Sequence, residues 1–109
     1  MNTSPLTLAY ITCPDVDEAR RIGRALVLER IAACVNIVPK MESFYWWEGK
    51  IENDQESVLI AKIPESSRNT LLERVLELHP YDTPCILFIP VTGGNPEYLD
   101  WLTREADGG

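Results

Sequence analysis

Long apolar runs are missing from this sequence. No stretch approaches the roughly 18 residues that a bilayer-spanning helix needs, so no membrane partner is expected. Positive charge is also scarce. Ten Lys and Arg against 17 Asp and Glu leave a net charge of -7, and no Lys/Arg run offsets it. Such a chain repels a phosphate backbone, which argues against nucleic acid as a partner. An anionic membrane surface attracts it no better. Cys13, Cys34 and Cys85 are an odd set at wide spacing with no Cys-x-x-Cys pair, so neither a structural zinc site nor a thioredoxin-type pair is expected. The opening Met-Asn-Thr-Ser-Pro-Leu has no basic or apolar leader region. Free thiols without an export pattern point to a reducing cytoplasm. Catalytic signatures are missing too: there is no Ser-His-Asp order, no His-Glu-x-x-His and no Gly-x-x-x-x-Gly-Lys loop. Gly93-Gly94-Asn95 reads as a turn that sets up a helix cap. An enzyme is not expected.

What is present describes one ordinary globular domain over residues 1–109, with 45% apolar and 25% charged residues. Leu6 to Thr12 is a short apolar run ending at Pro14, and it reads as a buried strand. Asp15 stands as a helix N-cap with Glu18 as its capping-box partner. Val16, Ala19, Ile22, Leu26 and Val27 follow at helical spacing, and Arg30 suits the negative helix end. Ala32 to Glu48 is β-branched and aromatic, hence extended. Pro39 inside it implies an edge or a bulge. Gly49-Lys50 reads as a turn, and Glu56 to Ile63 returns as a strand. A second helix runs from near Ser66 and stops by His79, because Pro80 disfavours helical geometry before it. Cys85 to Val91 is a fourth apolar run, and Asn95-Pro96 opens a last helix over Glu97 to Arg104. The order predicts an α+β, ferredoxin-like split βαβ sandwich with a C-terminal helix.

One segment does not fit inside such a domain. Cys34 to Gly49 spans roughly 50 Å if fully extended. A compact chain of this length has a diameter of about 34 Å. The hairpin tip therefore projects. It carries Phe44, Tyr45, Trp46 and Trp47, two on each face. With helices on only one face of the sheet, at least two of these rings are left in water. Either they fold back onto the last helix through Trp101, or other copies of the chain cover them and pair with the open strand edges. A closed ring of identical chains removes every such edge.

Ala32-Ala33-Cys34-Val35-Asn36-Ile37, Ser43 to Gly49, His79-Pro80-Tyr81 with Pro84, and Tyr98-Leu99-x-Trp101 occur in that order. With these motifs in register from about Leu8 to Leu102, the chain resembles the CutA divalent-cation tolerance family. The resemblance implies a ferredoxin-like subunit and a cytoplasmic homotrimer built by inter-subunit strand pairing. Phe44, Tyr45, Trp46, Trp47 and Trp101 would form its interface. It also implies tolerance to copper and other divalent metal ions. The trimer is similar to that of PII signalling proteins, which implies a signal-transduction role with a small effector between subunits.

The resemblance also implies copper ligands: a cysteine at the end of the first strand and a His-His pair before Pro-Tyr. Here Ile11 and Leu78 occupy two of those three positions, and only His79 carries over. Cys13, two residues after Ile11 and on the same side of a strand, is the candidate substitute thiolate. His79, the only histidine, is a candidate metal ligand or a helix cap bonded to a neighbour. Cys34 reads as a small hydrophobe and Cys85 as core. Glu56 and Lys62 share one face of the third strand. Either they are end charges reaching water, or they meet Tyr81, His79 and Cys34 in a polar pocket between subunits. Glu42, Glu48, Glu52, Asp54 and Glu56 make an acidic rim on the hairpin.

Overall fold

A computed structural model describes residues 5–106. The leaderless reading of the N-terminus falls on residues 1–4, outside the described residues. The chain runs β1 (Leu6–Cys13), α1 (Val16–Leu28), β2 (Cys34–Trp47), β3 (Lys50–Pro64), α2 (Arg68–Leu78), β4 (Ile86–Val91) and α3 (Pro96–Ala106). The sheet order is β2-β3-β1-β4 with every neighbouring pair antiparallel. β3 separates β1 from β2, and β1 separates β3 from β4, as a split βαβ fold requires.

Local chemistry sets the helices. Asp15 accepts the amide of Glu18 at 2.8 Å and starts α1. The reciprocal half of a capping box is absent, because the Glu18 carboxylate accepts from Arg21 at 2.6 Å instead. Arg30 does not sit in the last turn of α1. It lies beyond it at φ 60, and its guanidinium donates to the carbonyl and carboxylate of Glu105 at 2.8 and 3.3 Å. It therefore ties α1's exit to α3. α2 stops at Leu78, and His79 turns to extended backbone ahead of Pro80. Asn95 caps α3 through the Glu97 amide at 3.2 Å.

α1 and α2 cover one face of the sheet. Ile22, Leu26, Leu71 and Val75 pack on Ala9, Ile11, Leu59 and Ala61, all fully buried. Each large aliphatic side chain contributes about 1.5–3 kcal/mol by this burial. Gly23 lets the helix come close: a Cβ there would stand 2.9 Å from Leu59 Cδ1. The other face is not bare, contrary to the sequence reading. α3 covers one end of it, with Leu99 and Leu102 over Leu6 and Leu8. Sequence alone does not show on which side a terminal helix folds.

The hairpin departs from this body. The molecule measures 51 × 25 × 22 Å, and β2 and β3 form the long axis. Register shifts between Val38 and Met41, where Pro39 and Lys40 oppose Ser57 alone in a bulge. The buried Ser57 hydroxyl donates to the Pro39 carbonyl at 2.7 Å. Ile51 to Gln55, polar and omitted from the predicted strand, pairs residue for residue with β2. Trp47 pairs with Lys50, so the turn is Glu48-Gly49 rather than Gly49-Lys50. Those two residues take φ 49 and 77, the left-handed pair that suits a two-residue hairpin.

Candidate functional site

His79 is buried at a junction of three segments. Its Nε2 lies 2.8 Å from the Thr12 carbonyl, and its Nδ1 accepts the Tyr81 amide at 3.1 Å. An amide only donates and a carbonyl only accepts. Nδ1 therefore keeps a lone pair for Tyr81, and Nε2 carries the proton. Both ring nitrogens are spent, one on β1 and one on the loop after α2. Of the two sequence readings, this geometry fits the bonded cap and not the metal ligand. Next to it, Arg21 donates to the Leu78 carbonyl and closes the end of α2.

Cys13 is fully buried in the core cluster. Burial pushes its thiol up to about 11, and the carboxylates of Glu18, Asp15 and Glu56 add to the shift. A soft metal needs the thiolate, which this site disfavours. Ile11 and Leu78, at the two remaining ligand positions implied by the resemblance, pack as hydrophobic side chains in and against that core. Among the described residues, no group of three or more His, Cys, Asp or Glu side chains stands where it could hold a metal ion. The donor set of this chain does not fit a copper centre at His79 and Cys13.

The five residues assigned to a polar pocket divide into two groups. Glu56 and Lys62 share a face of β3, as parity requires, but six residues separate them, about 20 Å along a strand. Lys62 pairs across the sheet with Cys34, and its ammonium donates to the Tyr98 hydroxyl at 2.9 Å. That bond holds Lys62 above its ordinary range. Tyr81 belongs to the other end, where burial first, then the fields of Glu56 and Asp54, push its hydroxyl up. His79 stands with Tyr81, and one chain does not bring these five together.

The hairpin aromatics stay open. Phe44, Trp46 and Trp47 are 67%, 73% and 61% exposed. Trp101 does not receive them. It is itself part-exposed and stacks on Tyr98, with ring centres 5.7 Å apart. The fold-back alternative is therefore not what the chain adopts. Pairing divides the tip into unlike faces. Phe44 and Trp46 lie with Ile51 and Asn53, whose amide reaches the Glu42 carboxylate at 3.4 Å, whereas Tyr45 and Trp47 lie with Lys50, Glu52 and Asp54. The Tyr45 hydroxyl donates to the Asp54 carboxylate, which pushes Tyr45 up to about 12.

Sequence reasoning assigned no bonding role to Ser57, Arg21 or Tyr98. The serine's even spacing from Leu59 and Ala61 was a visible sign that it faces the core. Nothing local marks the partners of Arg21 and Tyr98, which come from distant segments.

The chain matches the family model for the CutA1 divalent ion tolerance protein over residues 7–105. It is 51% identical over 101 residues to the divalent-cation tolerance protein CutA of Thermus thermophilus, covering 93% of this chain and 97% of that protein. It is 45% identical over 107 residues to the chloroplastic protein CutA 1 of Oryza sativa. That match covers 95% of this chain but spans only 60% of the rice protein. Among solved structures, CutA1 from Oryza sativa superposes with a TM-score of 0.92 at 44% identity, covering 94% of each chain. The periplasmic divalent cation tolerance protein CutA from Archaeoglobus fulgidus gives 0.89 at 40% identity, covering 93% of this chain and 98% of that one. No helix among the described residues is long and apolar enough to cross a membrane. Sequence motifs, sheet order and these matches agree, and the chain belongs to the CutA1 divalent ion tolerance family.

Proposed function

We propose that this protein acts in the cytoplasm as a non-catalytic homotrimer in the response to divalent cations. The observation that carries the reading is the projecting hairpin. The exposed cluster of Phe44, Trp46 and Ile51 and the free edge of β2 stand beyond the body with no cover from their own chain. Exposed aromatic clusters and unpaired strand edges are normally closed by another chain, and identical copies in a ring leave no edge over. The three free cysteines suit a reducing compartment. Copper and other divalent cations then meet a diffuse acidic surface of net charge -7, with Glu52, Asp54 and Glu56 on one face of the hairpin. A closed Cys-His centre plays no part. Calorimetric titration with Cu(II) and Zn(II) on wild type and His79→Ala tests this. The expected result is weak, salt-sensitive binding that the substitution leaves unchanged. Tight Cu(II) binding lost in His79→Ala would restore the ligand reading.

A second reading, a PII-like signalling trimer that takes a small effector between subunits, has its own support. Glu56, His79 and Tyr81 stand at one end of β3, Lys62 and Cys34 at the other, so a pocket holding all five requires two chains. Effector binding that disappears when the assembly is diluted apart would favour it.

A further inference from the structure

The contact of α3 with the sheet encloses a groove of about 210 Å³. Leu6, Leu8, Val91, Leu99 and Leu102 line it, and Lys62 and Tyr98 stand beside one another on its wall. One chain supplies this whole lining, although Lys62 also belongs to the residues that the second reading above places between subunits. At roughly 30 Å³ per water-sized volume, it holds a molecule of about seven non-hydrogen atoms.

Lys62 is the one cation on this wall. Arg20, Arg21, Arg30 and Arg74 each hold a carboxylate, whereas Arg24, Lys40, Lys50, Arg68 and Arg104, like Lys62, hold none among the described residues. Among the described residues, Lys62 has no carboxylate within ion-pair distance, although the chain carries an excess of them. Its polar partner is a neutral phenol, and its ammonium also lies 5.2 Å from the centre of the same ring. An ammonium has three donors, and Tyr98 accepts one. The remaining donors belong to a charge held against an aliphatic groove, the pairing of apolar walls with one placed polar group that small-ligand sites use. A strongly hydrated dianion such as phosphate gains nothing from those walls, and an uncharged alkane leaves the ammonium unpaired. A single negative charge on a short hydrocarbon satisfies both.

We propose that Lys62 and the groove between α3 and the sheet bind a small monocarboxylate with a short aliphatic tail. The test compares hexanoate with hexan-1-ol, acetate and inorganic phosphate on the full chain, by calorimetry and by the methyl resonances of Val91, Leu99 and Leu102. Hexanoate is expected to saturate and to shift those methyls. The other three are expected to bind at least tenfold more weakly. Lys62→Met keeps the stem and removes the charge. It should weaken hexanoate at least tenfold and leave hexan-1-ol unchanged. Equal binding of hexanoate and hexan-1-ol to the wild type would overturn the proposal, and that comparison needs no variant. So would unchanged hexanoate affinity in a folded Lys62→Met. Absence of saturation by about 10 mM would overturn it as well, as when a carboxylate of a neighbouring copy already occupies Lys62.

Discussion

β3 is one continuous strand with two different fates. From Ser57 to Pro64 it lies between β2 and β1, and Ser57, Leu59, Ala61 and Ile63 are at most 1% exposed beneath the helices. From Lys50 to Gln55 it pairs with β2 alone, and every residue is exposed. The Pro39 bulge divides the two halves. Pairing with β2 continues on both sides of it, so hydrogen bonding to β2 does not distinguish them, although the tip half lacks β1 on its other edge. What differs is whether a second layer covers the side chains. The body half completes its own core. The tip half has strand geometry and large aromatic rings but nothing of its own to place them against. Sheet formation and burial are thus separable, and the second is what the tip lacks within a single chain.

Substitutions on either side of the bulge sharpen this contrast. Trp46→Ala should have the largest effect. If neighbouring copies bury the indole, its removal costs about 3–5 kcal/mol. The loss should appear as dissociation at concentrations where the wild type stays assembled, measured by light scattering. An unchanged assembly would place Trp46 outside any interface. Leu59→Ala, in the body half, should cost about 3 kcal/mol through the cavity it leaves. Its effect belongs to the chain itself, so a urea midpoint should fall without a matching change in oligomer mass.

Base should separate the halves by pH. The Cys13 thiol, with an ordinary value of 9.0, is pushed up to about 11 in the folded body. Its contribution is complete below pH 9 and is lost as pH rises through 11. Tyr45, ordinarily 10.0, is pushed up to about 12 by its bond to Asp54, so the tip's share is complete below pH 10 and goes as pH rises through 12. Thiol reactivity should therefore appear before tyrosinate absorbance from Tyr45, with Tyr45→Phe as the spectral control. Cys13 reactivity already at its ordinary value of 9.0 would contradict the burial assigned to it. Asp15→Ala should have the smallest effect, about 1 kcal/mol for a lost helix cap, seen as a small drop in melting temperature equal in assembled and dissociated protein.

Much of this fold was legible in the sequence because its signals are local. Asp15, Pro39, Pro80 and the Asn95-Pro96 pair each mark a boundary by a mechanism that acts within a few residues. The projecting hairpin was legible from strand length alone. Ile51 to Gln55 was not legible as strand, because its pairing comes from β2 and not from its own polar sequence. Glu48 gave no sign of adopting positive φ, since the turn is imposed by the register of Trp47 with Lys50. Arg30 carried a correct charge for a helix end, but the end it serves is that of α3, a contact across 75 residues of sequence. The candidate site was less legible still. Strand parity placed Glu56 and Lys62 on one face, and parity says nothing about the distance between them. His79 was correctly marked as a residue with a role, yet its two partners, Thr12 and Tyr81, decide between ligand and latch, and Thr12 comes from the far end of the chain.

The projecting hairpin leaves one copy of the chain incomplete. Sedimentation equilibrium of the wild-type chain at micromolar concentration tests this most directly. The expected result is a single species of three chain masses. A folded species of one chain mass, with the hairpin intact, would contradict it.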